Sequence, residues 1–96
     1  MLYTFSQTNY DSQLLGQYAQ AATAADALLF WQDGVWALSK YAEQLHGCRA
    51  AIYVLQQDLA ARNLDITQFA PHLTVYSLSL PEWVSLTERY FPQLAR

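Results

Sequence analysis

The chain has 96 residues, enough for one hydrophobic core and too few for a separate catalytic lobe. Hydrophobic residues make up 53% and charged residues only 14%, against about a quarter charged in an ordinary soluble domain. The net charge of −3 and five scattered cations, Lys40, Arg49, Arg62, Arg89 and Arg96, exclude the clustered basic surface that nucleic acid requires.

The opening Met1-Leu2-Tyr3-Thr4-Phe5 lacks a basic leader and reads as a first strand rather than a signal peptide. Further apolar, β-branched or aromatic runs follow at 27–31, 51–55 and 73–78. The middle two are almost wholly apolar, as strands covered on both faces are. Between the first two, Leu14, Leu15, Tyr18, Ala19 and Ala22 recur at helical spacing, with Asp11 or Ser12 as the N-cap. One continuous second helix is predicted through Val35, Leu38, Ala42 and Leu45, stopping near Gly47. A short third runs over 56–62, with Asn63 placed to take the left-handed conformation that ends a helix. In Ser79-Leu80-Pro81-Glu82 the spacing matches a capping box. Trp83, Val84, Thr87 and Phe91 then form a helical stripe that Pro92 ends.

Strand and helix in alternation imply right-handed βαβ units. The expectation is a single three-layer α/β domain over 1–96, with a mostly parallel sheet of four to five strands flanked by helices. No run of about 18 apolar residues is present to span a membrane. A lone Cys48 cannot form an internal disulfide, which fits a reducing cytoplasm.

Function in such sheets gathers at the carboxyl ends of the strands, here residues 6–10, 32–35 and 56–58. Asp33 at the end of the second strand has the chemistry to hold Mg²⁺ or accept a phosphoryl group. Such a site wants companion acids after the first strand, where Ser6, Gln7 and Thr8 stand instead. The structural reading is that Asp33 caps the second helix and Gly34 permits a tight turn. Cys48 lies in His46-Gly47-Cys48-Arg49, beside a possible base and a cation, but at the amino edge of the sheet. With only His46, His72 and one Cys, a closed zinc site is not formed. Three glycines, Gly16, Gly34 and Gly47, build no phosphate-cradling loop. Neither a metal nor a cofactor is expected.

Fourteen aromatics, three Trp, seven Tyr and four Phe, exceed what one small core absorbs. Those on or near helices, Trp36, Tyr41, Trp83 and Phe91, are candidates for exposed apolar surface, which marks partner interfaces. Trp36 is the expected interface anchor, because Val35 and Leu38 already supply the inward stripe of its helix. Gln32, Asp33 and Gly34 form the adjoining turn.

Three segments in order resemble one family. Leu28-Leu29-Phe30-Trp31-Gln32-Asp33-Gly34-Val35 is similar to the strand and "QDGV" turn of the TusB/DsrH proteins. The run from Tyr53 through Gln56-Gln57-Asp58-Leu59-Ala60-Ala61-Arg62 resembles their third strand and "DLxARG" helix, with Asn63 in place of the usual Gly. Tyr76, Trp83-Val84 and Leu86 resemble the terminal "DYxxFVxL" segment. The resemblance implies a DsrE/F/H-like fold and a subunit without catalytic activity of its own in a sulfur-relay complex. It implies a heterohexamer with TusC-like and TusD-like subunits that passes persulfide sulfur from a TusA-like to a TusE-like carrier, for 2-thiolation of the tRNA wobble uridine. In the DsrH branch the corresponding complex serves sulfur oxidation.

The resemblance places the sulfur-carrying Cys of D-type subunits at Leu55, and the first-helix Cys of some H-type proteins near Tyr18. Sulfur is absent at both positions, which favours a TusB-like subunit that carries no persulfide. Two other readings stay open: a small sulfurtransferase using Cys48, and a homo-oligomer binding a small ligand at the strand ends. Isolated from partners, the chain is expected to form homo-oligomers.

Overall fold

The computed structural model describes residues 1–65, 74–90 and 93–95. Five strands, β1 (Leu2–Phe5), β2 (Ala27–Phe30), β3 (Ala51–Leu55), β4 (Val75–Leu78) and β5 (Gln93–Ala95), pair in the order β4-β3-β2-β1-β5. Every pairing is parallel, with Phe5 opposite Phe30, Phe30 opposite Val54, and Leu55 opposite Leu78. Among the described residues five helices accompany them: α1 (Ser12–Ala21), α2 (Gly34–Lys40), α3 (Ala42–Leu45), α4 (Gln56–Ala61) and α5 (Leu80–Arg89).

Topology decides which face each helix covers. From β1 to β4 the chain steps to the next strand in one direction. From β4 it then returns across the sheet to lie beside β1. Right-handed crossovers therefore require α5 on the face opposite α1 to α4. Two apolar clusters follow from the strand alternation. Phe5, Leu28, Phe30, Ile52 and Val54 pack with Leu15, Val35, Leu38, Leu45 and Leu59 from the first four helices. Leu2, Leu29, Leu55 and Leu78 point the other way, against Leu86 and Trp83 of α5. The middle strand β2 is fully buried, the burial that its unbroken apolar run implies.

Helix starts follow their side chains. The Asp11 carboxylate accepts from the Gln13 and Leu14 N–H groups at 2.9 and 3.3 Å and opens α1. At α5 the Ser79 hydroxyl accepts from the Glu82 N–H, and the Glu82 carboxylate accepts from the Ser79 N–H at 2.9 Å. That second bond, from the Ser79 backbone, holds the Glu82 carboxyl below its ordinary value. Asn63 is left-handed at φ 55° as its position after α4 predicts.

The structure departs from the sequence expectation in where several elements begin and end, the strand expected from residue 73 pairing only from Val75. The second helix is divided into α2 and α3 at Tyr41, whose backbone leaves the helical region at φ −110°, ψ 29°. Its hydroxyl donates to the Tyr10 carbonyl at 2.7 Å and accepts the Tyr10 N–H at 3.0 Å. Tyr41 is accordingly buried and is no part of an exposed aromatic surface. The fifth strand, β5, falls within the expected four to five and pairs with β1, but no run in the sequence marks it, because three residues are too short for periodicity to register. And β2 ends at Phe30, one residue earlier than expected. Leu73, Phe91 and Pro92 lie outside the described residues.

Candidate functional site

All five strands run the same way, so the turns after β1, β2 and β3 meet at one edge of the sheet. Gln32, in the turn after β2, has φ 52°. A non-glycine residue there costs on the order of 1–2 kcal/mol, and the turn is held from a distant segment. The Gln32 N–H donates to the Asp58 carboxylate at 2.8 Å. Arg62, one helical turn beyond Asp58, donates to the Asp58 carbonyl at 3.2 Å, lies 3.6 Å from its carboxylate, and donates to the Asp33 carboxylate at 2.9 Å. One guanidinium thus ties the β2–α2 turn to α4.

This geometry corrects the reading of Asp33 and Gly34. Asp33 makes no side-chain cap of α2, and its backbone is helical at φ −69°, ψ −11°. Its carboxylate instead accepts from the Arg62 guanidinium at the surface. Gly34 does not need a positive φ, since Gly47 is the described glycine that has one. Instead, a Cβ at Gly34 would lie 1.9 Å from the Phe5 carbonyl oxygen. Glycine is required because the start of α2 is pressed onto the end of β1.

Trp36 follows this turn with 41% of its surface exposed, while Val35 and Leu38 are fully buried. With Thr8, Ser39 and Lys40 it lines an open groove of about 470 Å³. Lys40 donates to the Asn9 side-chain oxygen. The groove therefore lies between the β1–α1 loop and the outer face of α2.

Neither position to which the family resemblance assigns sulfur offers a nucleophile. Leu55 is 1% exposed, in the apolar cluster beneath α5. Tyr18 packs its ring against Tyr3 and Phe5 at centroid distances of 5.4 and 6.2 Å.

Cys48 lies at the opposite edge, before β3, and its N–H donates to the Leu45 carbonyl at 3.1 Å. Burial pushes the thiol above its ordinary value. The Asp26 charge acts in the same direction, and the Ala50 N–H opposes them in part. A raised thiol is the reverse of what a sulfur nucleophile needs. A cavity of about 590 Å³ is at that edge and includes His46, Cys48, Arg49 and Tyr76 in its lining. Burial that raises the Cys48 thiol works against a sulfur nucleophile there. Among the described residues no three His, Cys, Asp or Glu side chains group to hold a metal; His72 lies outside them. No described helix is long and apolar enough to cross a membrane.

Sequence reasoning missed the Asp58–Arg62 pair, the Tyr10–Tyr41 pair and Lys40 as parts of this edge. The i, i+4 spacing of Asp58 and Arg62 was the one available signal, and it does not reveal that Arg62 also reaches Asp33.

Comparison with known proteins gives consistent matches over nearly the whole chain. The DsrH family, described as DsrH like protein, matches residues 7–93. An uncharacterized protein of Haemophilus influenzae is 42% identical over 96 residues, covering 99% of each chain. Proteins named Protein TusB from Yersinia pestis and Yersinia pseudotuberculosis are each 37% identical over 98 residues, again covering 99% of both chains.

Proposed function

The chain belongs to the DsrH like protein family, and on that premise we propose that it is a sulfur-relay subunit that carries no persulfide itself. The observation that supports this most is Leu55. At the position the resemblance gives to the sulfur-carrying Cys stands an apolar side chain buried in the layer under α5. Its work is then structural: to hold a thiol-bearing TusD-like partner, with a TusC-like subunit, in a heterohexamer. In doing so it shapes the surface met by TusA-like and TusE-like carriers.

The proposed destination of the sulfur is the 2-thio group of the tRNA wobble uridine in the cytoplasm. Relatives named Protein TusB support that branch over sulfur oxidation, as does Tyr18 in place of a first-helix Cys. The chain itself makes no nucleic-acid contact in this reading, consistent with its charge of −3. A stand-alone sulfurtransferase working through Cys48 is disfavoured, because burial withholds the thiolate.

The test is genetic and biochemical together. Deleting the chain should remove tRNA 2-thiouridine, and the tagged protein should bring down two homologous small subunits identified by mass spectrometry. Complementation by Cys48→Ser should restore the modification fully. A chain that purifies without partners, or whose deletion leaves 2-thiouridine unchanged, would overturn the proposal.

A further inference from the structure

We infer that the groove between the β1–α1 loop and α2 receives a carboxylate-bearing segment of a partner chain, with Trp36 as its apolar wall and Lys40 as its counter-charge. The inference rests on the subunit reading above and specifies the chemistry of the occupant.

Charge is the first argument. Lys40 bonds to the neutral Asn9 amide and lies 5.4 Å from the centre of the Tyr41 ring. Among the described residues its ammonium has no carboxylate partner; the ion pairs there belong to Met1 with Asp26 and Arg62 with Asp33 and Asp58. A cation left uncompensated in a chain of net charge −3 is complementary to an acid from outside. One cation is too few to hold a phosphate backbone, which is bound by clusters.

Shape is the second. The groove is open and shallow, about 470 Å³, and suits a segment laid along its surface rather than an enclosed ligand. Trp36 presents 41% of its surface, and Trp is among the residues enriched at the hot spots of protein interfaces. Thr8 and Ser39 add hydroxyls to the lining. Rigidity is the third. The loop wall is pinned to the helix wall through the paired Tyr10 and Tyr41 bonds and through Asn9 and Lys40. A preformed groove loses little conformational freedom on binding.

The experiment uses the chain in its isolated complex. Lys40→Glu should weaken partner association by at least about tenfold. Lys40→Gln should weaken it less and remove the fall in affinity with salt that the wild type shows. Arg89→Glu, on α5 beyond the other face, should change neither. Lys40 is exposed, so thermal melting of each variant should match the wild type. A photo-crosslinker in place of Ser39 should capture a partner peptide that contains Asp, Glu or a chain-terminal carboxylate. Capture of a second copy of this chain, capture of a peptide without carboxylates, or wild-type affinity and salt response in Lys40→Glu would each overturn the inference while leaving the subunit reading intact. Absence of any partner with the wild-type chain would overturn both.

Discussion

Gly34→Ala should be among the most damaging single substitutions in this chain, although it adds one methyl group. The new Cβ would stand 1.9 Å from the Phe5 carbonyl oxygen and 2.8 Å from its carbon, where carbon-centred contacts relax only near 3.5 Å. Relief demands that α2 move from β1 by on the order of 1 Å or more. The Phe5 carbonyl also accepts the Trp31 N–H at 3.1 Å, and the displaced helix carries Val35 and Leu38, both fully buried. Overpacking of this kind costs about 1–3 kcal/mol, and a weakened buried hydrogen bond adds about 1 kcal/mol. A loss of about 2–4 kcal/mol is a large share of a small domain's stability. At about 4–8 °C per kcal/mol the melting temperature should fall by about 10–30 °C.

The internal control is Gly16→Ala. Gly16 lies inside α1, and the nearest atoms to its added Cβ are 4.0 Å away on Gln44. With room available, helix propensity alone should raise stability by about 0.5–1 kcal/mol. Urea unfolding followed by circular dichroism on the assembled protein would compare the two. If Gly34→Ala unfolds within about 0.5 kcal/mol of wild type, the close approach of α2 to β1 is not a constraint on this fold and the reasoning fails.

The remaining expectations concern the turn, the thiol and an acidic group. Gln32→Gly removes the left-handed penalty at φ 52° and should match or exceed wild-type stability, whereas Asp58→Ala, which removes the carboxylate that accepts the Gln32 N–H and faces Arg62, should cost about 1–3 kcal/mol; equal melting temperatures for the two variants would contradict this. Asp33→Ala removes a pair whose Asp is 63% exposed, so its cost should stay below about 1 kcal/mol and shrink as salt is raised. Cys48 should alkylate more slowly than free cysteine at neutral pH and accelerate only above the ordinary thiol range, because burial raises its pKa; rapid alkylation at pH 7 would refute that. The Asp26 carboxyl is held below its ordinary value first by the Thr23 N–H and then by the Met1 amino group. Its stabilising effect is therefore present at neutral pH and lost as acid protonates it in the folded state, so Asp26→Asn should lower stability at pH 7 and flatten its fall at acid pH.

Local signals were readable in the residues, and contacts between distant segments were not. The strands 2–5 and 51–55, the Asp11 cap, the Ser79–Glu82 capping box and the left-handed Asn63 each depend on neighbours within a few positions. Asp33 and Gly34 looked like a cap and a turn because those roles are local. Their actual constraints come from Arg62, 29 residues away, and from the end of β1. Gln32 gave no warning of its positive φ, since the residue that stabilises it is Asp58 on another helix. The break at Tyr41 had the same origin: apolar spacing continued through it, while its hydroxyl was claimed by Tyr10. At the candidate site, Trp36 could be picked out by elimination from the inward stripe. The groove around it needed the β1–α1 loop to fold back, which no periodicity encodes.

The most direct measurement is intact-mass analysis of each subunit in the isolated complex after loading with a persulfide donor. The account predicts sulfur adducts on a partner subunit and an unmodified mass for this chain, with transfer to the next carrier unchanged in Cys48→Ser. A stoichiometric gain of one sulfur atom on Cys48, with transfer lost in that variant, would contradict it.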